Sequence, residues 1–353
     1  MQLGRTWGHL LVAALIWLIV PWACTTGSEG ESEQALSAHD RQLIPLRNED
    51  PRPPGDVRHL QNCAEEAFPD PWRGPWDSVS NKQLAREATP THRTTDQVVA
   101  VGDSVTLGAR MQYDEGPLSE EWVRLFIGSC NGWSQVGVRK TDEEGNIVFR
   151  LDERLPSGVY AAVFQATGDA TTVRAQIWVL PREAEVVAVD LRGAAFDADN
   201  GEPVVAAPAL TGWHSRDGRV VVYVDHVYDD SQWSFKSDEW HKRLRSEGFA
   251  VGPVVDLGLD LSTDDGPAAP PDGWGEAAEQ PRLMTGISTP ISTLYATEAD
   301  VAMKLDDVGT QVSETVYRRQ YCEPGDDGEP RTGWSSLVTE LSDEEEDEGD
   351  DPG

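Results

Sequence analysis

The chain has 353 residues, with 29 lysines and arginines against 62 aspartates and glutamates, so its formal charge is −33. So acidic a protein repels a phosphate backbone, which excludes nucleic acid as a partner. The length suits two folded domains, and a composition of 39% hydrophobic and 26% charged residues excludes wholesale disorder.

Residues 1–24 are predicted to be a lipoprotein-type signal peptide. An apolar stretch runs from Leu10 to Val20, and the small residue Ala23 stands directly before Cys24. This layout resembles a bacterial lipoprotein signal, in which the cysteine becomes the lipidated first residue of the mature chain. Ordinary cleavage without lipid is one alternative. A permanent anchor is the weaker one, because a spanning helix needs about 20 apolar residues.

Each of these alternatives places the mature protein outside the cytoplasm. We expect a bacterial lipoprotein of the periplasm or cell surface, anchored in the outer membrane. Nothing basic flanks Cys24, so attachment to the membrane would rest on the acyl chains alone. The expected partners are the membrane, through this anchor, and an envelope protein or a small ligand.

Export makes the remaining cysteines, Cys63, Cys130 and Cys322, candidates for oxidation. The favoured bridge joins Cys63 to Cys130, since both lie in loop-like stretches; two unrelated buried thiols are the alternative. Because three cysteines cannot all pair within one chain, Cys322 would then be free or bonded to a cysteine of another chain. The sequence contains no CxxC or HExxH spacing, so no zinc or other cofactor is expected.

The first domain is predicted to be a β-sandwich over residues 97–181. It follows a disordered tether at 25–57 and an irregular segment, rich in proline and tryptophan, at 58–96. Seven short β-branched and aromatic runs are predicted strands: Val98–Val101, Ser104–Tyr113, Trp122–Ile127, Ser134–Lys140, Asn146–Leu151, Gly158–Gln165 and Thr171–Leu180. In the last strand the alternation turns Trp178 away from the sandwich core. A cover over Trp178 by the second domain or by the Pro/Trp segment is favoured over a role as a ligand platform.

The second domain is predicted to be an α/β domain over residues 182–341, followed by a disordered acidic tail at 342–353. Glu185–Asp190, Arg219–Asp225 and Pro253–Leu257 read as strands buried on both faces, as in parallel sheets. A helix is expected from Ser237 to about Gly248, and a second helical stretch from Thr297 to Tyr317. The fold class is therefore mixed, an antiparallel sandwich followed by a mainly parallel α/β sheet.

Two carboxylates close buried strands of this second domain. Asp190 and Asp225 end neighbouring strands, and ligands of open α/β sheets bind at the carboxyl ends of the strands. The two side chains should therefore converge, either as a weak metal site or as a pair sharing protons. The alternative is that both only cap turns at strand ends.

The residues around Asp190 also resemble a known family. Residues 177–193 read IWVLPREAEVVAVDLRG, and further matching pieces are Val221–Val224, Trp240–Phe249, Gly252–Pro253 and Thr297–Leu305. The stretch from Asn62 to Leu305 resembles bacterial proteins that join an Ig-like sandwich to a lipin-like (LNS2) phosphatase domain of the haloacid dehalogenase (HAD) superfamily. The resemblance implies an Ig-like domain followed by a HAD-like domain.

The catalytic motifs of that family are altered here. The family's D-x-D-G-T loop corresponds to residues 190–194, DLRGA, so the nucleophile position is kept at Asp190 while Arg192 replaces the acid/base aspartate. A guanidinium stays protonated and cannot shuttle protons at neutral pH. Asp225 stands where the second motif offers a phosphate-binding hydroxyl, and Lys304 is the candidate for the third-motif lysine. For the acidic fourth motif of the family, the nearby acidic cluster in the sequence is Asp326–Gly328.

We therefore expect a degenerate, non-catalytic module for binding or scaffolding at the cell envelope. Arg192, Asp225 and Lys304 are the candidate pocket residues. One alternative is a divergent phosphatase that uses Asp190 and Mg²⁺ on phosphatidate or another phosphoester. A second alternative is a surface adhesion or glycan-binding protein that uses exposed tryptophans.

Overall fold

The computed structural model describes residues 57–58, 60–64, 67–69, 73–151, 154–226, 237–259, 286–297, 299–318, 322–324 and 330–348. The predicted signal peptide with Cys24, the tether up to residue 56 and the segment Asp326–Gly328 lie outside these residues. No helix in the described ranges is long and apolar enough to cross a bilayer.

Two sets of elements follow each other along the chain. The first set is α1 (Val79–Glu87), β1 (Arg93–Thr94), β2 (Gln97–Ala100), β3 (Thr106–Arg110), β4 (Gln112–Tyr113), β5 (Gly116–Pro117), β6 (Trp122–Ser129), β7 (Gly132–Lys140), β8 (Asn146–Arg150), β9 (Gly158–Ala166) and β10 (Thr172–Leu180). The second set is β11 (Val186–Asp190), α2 (Ala207–Arg216), β12 (Val220–Asp225), α3 (Ser237–Ser246), β13 (Val254–Asp256), β14 (Ile291–Ala296), α4 (Asp300–Asp307), β15 (Val312–Tyr317), β16 (Cys322–Pro324), β17 (Pro330–Thr332) and α5 (Ser335–Glu348).

The first set forms a β-sandwich. A three-stranded sheet in the order β1-β3-β8 faces a five-stranded sheet in the order β2-β10-β9-β6-β7. Val173, Ala175, Ile177 and Val179 of β10 point into the core between the sheets, as their alternation predicts. The expected antiparallel pairing has one exception, because the edge strand β2 runs parallel to β10.

The second set forms an α/β domain around five parallel strands in the order β13-β12-β11-β14-β15. Side chains of alternate residues enter different cores. Val187 and Val189 of β11 pack with α2, α3 and α5 on one face. Val186 and Ala188 face the other way, where α4 and the sandwich cover the sheet.

Several elements differ from the sequence expectations. The segment 58–96 is not irregular throughout, because Ser78 accepts a hydrogen bond from the Asn81 N–H and caps the start of α1. The helix expected from Thr297 to Tyr317 ends early: Gly309 adopts φ +82° after α4, and the chain continues as strand β15. Strand β14 was not predicted. The expected disordered tail at 342–353 is helical up to Glu348, since α5 continues through the glutamates, which favour helices.

A disulfide links the N-terminal segment to the sandwich. Cys63 is bonded to Cys130, a residue 67 positions further along the chain. The backbone N–H of Cys63 also donates to the Val159 carbonyl of β9, at 2.7 Å. Together these bonds fix the chain around Cys63 to the five-stranded sheet, whose outer face Ala64 helps to cover.

That outer face is also the surface on which the α/β domain packs. Trp178 points out of the sandwich, is 8% exposed and lies in one cluster with Val98, Leu180, Val186 of β11 and Val222 of β12. The cover expected over Trp178 is therefore provided by the second domain. The two domains therefore share one apolar core at this surface.

A buried carboxylate stands at the junction between the domains. Asp96 is 0% exposed and accepts three hydrogen bonds: from Gln176 N in β10 at 2.7 Å, from Val254 N in β13 at 2.8 Å and from His241 Nε2 in α3 at 2.7 Å. One side chain therefore connects the sandwich, the parallel sheet and a helix. Burial lowers the pKa of the His241 imidazole, but the charge and hydrogen bond of Asp96 outweigh burial, so the pKa is raised overall. Asp238 adds to the increase, and Arg245 opposes it.

We expect Asp96→Asn to lower the free energy of unfolding by about 3 kcal/mol, because it turns an amide N–H₂ toward buried N–H donors and leaves His241 without its counter-charge. Chemical denaturation of the full chain measures this loss. Asp103→Asn is the matched control, because Asp103 forms an exposed surface pair with Arg182 and its loss should change stability by less than about 1 kcal/mol.

The same variants test the sign of the pH dependence. A pKa that is higher in the folded chain stabilises it fully below the unfolded value of about 6.5, and that stabilisation is lost as the pH rises through the folded value. The wild type should therefore lose more stability than Asp96→Asn between about pH 6 and pH 8. Equal slopes for both proteins would contradict the Asp96–His241 interaction.

Candidate functional site

The carboxyl ends of three adjacent parallel strands carry aspartates. Asp190 ends β11, Asp225 ends β12 and Asp256 ends β13. We call this row the aspartate edge. Asp225 and Asp256 are direct partners in the sheet register, and strands β11 and β12 are neighbours. The convergence of Asp190 and Asp225 expected from the sequence is therefore present.

Arg192 lies over this edge and binds Asp225. Its Nε donates to Asp225 Oδ1 at 2.8 Å, and its Nη2 donates to Oδ2 at 3.3 Å. The side chains of Arg192 and Asp225 are only 12% and 6% exposed. Asp225 Oδ2 also accepts from the Trp240 indole N–H at 3.1 Å. Arg192 thus neutralises the Asp225 carboxylate.

Asp190 is held mainly by the chain that follows it. Asp190 Oδ1 accepts from the Arg192 backbone N–H at 3.0 Å, and His226 Nδ1 lies 3.2 Å from the same oxygen. Burial raises the pKa of the Asp190 carboxyl, and the negative charge of Asp225 adds to the increase, whereas His226 and the Arg192 N–H oppose it. Burial in this position therefore disfavours the charged form of the Asp190 carboxyl.

The third aspartate is neutralised from the other domain. Arg93 of β1 in the sandwich forms an ion pair with Asp256, and both side chains are largely buried. Burial raises the pKa of Asp256, Arg93 lowers it, and the charge of Asp225 raises it again. The aspartate edge therefore contains paired charges supplied by both domains.

The loop after β11 passes close to β14. A Cβ placed on Gly193 would lie 2.2 Å from Thr297 Oγ1 and 3.4 Å from Asp190 Oδ2, so only glycine fits there. Thr297 Oγ1 is buried, and no residue in the described ranges hydrogen-bonds it. Thr297 directly follows β14, which puts a hydroxyl beside Asp190 that the sequence motifs did not predict.

Lys304 reaches the rim of this site. It lies on α4, is exposed, and its Nζ donates to the backbone carbonyl of His226, the residue next to Asp225. Its recorded hydrogen bond therefore goes to the main chain. Sequence reasoning missed His226 and Thr297, although both directly follow a parallel strand, which is the position where functional side chains of such sheets collect.

The residues of the edge do not fit Mg²⁺. The ion requires near-octahedral oxygen ligands and a local excess of negative charge. Asp225 already accepts three N–H donors, two of them from a cationic guanidinium. Within the described part of the chain, no group of three His, Cys, Asp or Glu side chains is arranged to hold a metal. No chemical step is therefore assigned to a metal here.

The sandwich is similar to a described domain family. A family model named "PITM 1-3, beta-sandwich domain" matches residues 90–179. The human membrane-associated phosphatidylinositol transfer protein 1 is 28% identical over 184 residues, which cover 47% of this chain and 14% of the human protein. The rat protein of the same name is 27% identical over the same length. The chain thus spans a small part of the curated relatives that it matches.

Solved structures give weaker similarities. A chimeric titin Z1Z2 is 21% identical with a TM-score of 0.19, over 26% of this chain and 95% of that one. A β-glucosidase from Listeria innocua is 9% identical with a TM-score of 0.20, over 27% of this chain and 17% of that one. Scores this low carry no argument about fold or activity. The family match supports the β-sandwich, which is followed in this chain by a parallel α/β domain.

Proposed function

We propose that this chain is an exported, lipid-anchored protein whose Ig-like sandwich and degenerate HAD-like (LNS2-like) domain form a non-catalytic module for binding or scaffolding. The observation that carries the proposal is the bidentate bond of Arg192 to Asp225 beside Asp190. In the motif that the sequence resembles, this permanently charged guanidinium stands where such a phosphatase needs an acid/base carboxyl.

The charges at the aspartate edge support this view. Leaving-group protonation needs a group that exchanges a proton near neutral pH, which a guanidinium does not do. Asp225 would repel a phosphate oxygen at about 4 Å by several kcal/mol at an effective dielectric constant near 20. Arg192 offsets that repulsion only by remaining bound to Asp225. Neither side chain is then available to a phosphoryl group.

Export is supported by the disulfide as well as by the signal-like N-terminus. Bridges such as Cys63–Cys130 form and persist in oxidising compartments. A lipid at Cys24 would hold the folded body at a membrane through the tether. The name of the matched relatives, which describes them as membrane-associated, agrees with such a location.

The adhesion alternative has less support. In the described ranges Trp178, Trp213, Trp240 and Trp334 are buried, while Trp76, Trp122 and Trp133 are half-buried. Trp76 packs against Gly168, and Trp133 packs against Phe68 and Arg174. These tryptophans therefore stabilise the fold, and they present no aromatic platform.

The first prediction from this proposal concerns hydrolysis. We expect the wild type, supplied with Mg²⁺, to hydrolyse p-nitrophenyl phosphate and phosphatidate vesicles no faster than Asp190→Asn, as measured by phosphate release. Asp199→Asn, a change at an exposed carboxylate, is the control for lost charge. Magnesium-dependent hydrolysis that persists in Asp199→Asn and disappears in Asp190→Asn would favour the phosphatase alternative.

The second prediction concerns the ion pair. Arg192→Met should lower the free energy of unfolding by about 3 kcal/mol, because it leaves the Asp225 carboxylate buried without its cation. The double variant Arg192→Met/Asp225→Asn should recover to within about 1 kcal/mol of the wild type, since the amide oxygen still accepts from Trp240.

Arg182→Met is the matched control for the ion pair, because Arg182 forms an exposed pair with Asp103, with side chains 61% and 38% exposed. Its effect should stay below about 1 kcal/mol. Equal losses in Arg192→Met and Arg182→Met, measured by urea denaturation, would show that the Arg192 pair does not hold the site together.

The third prediction concerns the anchor. Full-length chain expressed in a bacterium with labelled palmitate should incorporate the label, and Cys24→Ala should lose it. Ser28→Ala, a change in the same flank, should retain it. Label that persists in Cys24→Ala would refute lipidation at this residue, and unlabelled, shortened wild type would indicate ordinary cleavage.

A further inference from the structure

A second site lies where helix α3 faces the sandwich. A cleft of about 390 Å³ is lined from the sandwich by Asp96, Arg174 and Gln176, and from α3 by His241, Lys242 and Arg245. We call it the α3 cleft. Its volume falls within the range of small-molecule pockets, roughly 300–1,000 Å³. The cleft is separate from the aspartate edge. Helix α3 contacts that edge through Trp240, which lies on a different face of the helix.

Helical spacing explains why α3 serves two sites. Asp238, Lys242 and Arg245 lie at i, i+4 and i+7, so they share one face of the helix with His241 and line the cleft. Trp240 and Leu244 lie at i and i+4 on another face and are buried in the core. The basic residues of α3 are thus collected on the wall that faces β10.

The cleft is basic although the chain is strongly acidic. Its lining contains Arg174, Lys242, Arg245 and His241 against the carboxylates of Asp96 and Asp238, in a protein of net charge −33. Asp96 is fully buried and receives N–H donors from both domains. Asp238 pairs with Lys242 at 3.4 Å in an exposed i,i+4 contact. Basic side chains therefore outnumber acidic ones among the residues that line the cleft.

Arg174 supplies the cation on the sandwich side of the cleft. Its guanidinium donates to the Ala64 carbonyl and stacks on the Trp133 ring, with 5.4 Å from Cζ to the ring centroid. Burial lowers the pKa of Arg174 from its ordinary value, which marks a guanidinium that has lost part of its hydration. The planar guanidinium of an arginine held in this way is suited to donate hydrogen bonds to carboxylate and phosphate oxygens.

We propose that the α3 cleft binds a small, soluble organic anion through a carboxylate or phosphate head. Arg174 on the sandwich wall and Lys242 and Arg245 on the helix wall bracket the anionic head. Gln176 and the main chain at Ala175 also line the cleft. Because the walls belong to different domains, the bound anion bridges them. This site is independent of whether Asp190 is catalytic.

The test is titration of the full chain with benzoate and with phenyl phosphate, followed by calorimetry and by the shift in melting temperature. We expect saturable binding of at least one probe. Lys242→Met/Arg245→Met should weaken it at least about tenfold, since it removes two charged contacts. Lys82→Met/Arg86→Met is the matched control, because it removes two exposed basic residues from α1 and should change the affinity by less than about twofold.

Three outcomes would overturn the proposal. One is no binding of either probe up to about 10 mM. A second is an equal loss of affinity in both double variants, which would indicate a general charge effect. The third is that the chain binds vesicles of anionic lipid but neither soluble probe, and that Lys242→Met/Arg245→Met abolishes the vesicle binding. This result would identify the basic face of α3 as a membrane contact. Both double variants are shown to be folded if, without ligand, each has the melting temperature of the wild type.

Discussion

The parallel sheet needs an apolar cover on both faces, and the sandwich provides part of one of them. Parallel strands have valines on both sides and are stable only when both sides are buried. Helices α2, α3 and α5 cover one face, whereas the other face packs on α4 and on Val98, Trp178 and Leu180 of the sandwich. Separation of the domains would expose this surface to water together with the Asp96 carboxylate. The arrangement of both domains follows from that shared core.

The same contact sets the charges of the aspartate edge. The cation that pairs with Asp256 is Arg93, and it comes from the sandwich. The cation that pairs with Asp225 is Arg192, from the loop after β11. A row of strand-end carboxylates would by itself attract cations, but here each of these two has its own arginine. The electrostatics of the α/β domain are therefore a property of the two domains together.

The sequence predicted the structure correctly where the spacing of apolar residues allowed only one interpretation. The alternation in β10 gave the core face and the outward direction of Trp178, and the valine runs before Asp190 and Asp225 gave two buried parallel strands and their meeting point. Both patterns are local, because the alternation or run of apolar residues follows directly from which faces of a strand are buried. The identity of the cover over Trp178 follows only from the tertiary structure, and the sequence could do no more than rank the alternatives.

The failures have physical causes as well. Strand β14, ISTLYA, mixes polar and apolar residues and lies just beyond a segment rich in glycine and proline, so its pattern was not recognised and Thr297 at its end was missed. The stretch 297–317 contains a short helix and an edge strand of alternating polarity, and Gly309 separates them. His226 was overlooked because a single residue after Asp225 carries no pattern of its own.

The place where the described chain begins has a consequence for orientation. Val57 N donates to the Gly218 carbonyl at 3.3 Å, just ahead of strand β12, while Asp225 is at the far end of that strand. Six residues of strand span about 20 Å, so Val57 lies at the end of the parallel sheet opposite to the aspartates. A flexible chain of roughly 30 residues, the length of the proposed tether, reaches about 30 Å. An anchor at Cys24, as proposed, would therefore limit the distance of the folded body from a membrane and would let Asp190 and Arg192 face either the membrane or the aqueous compartment.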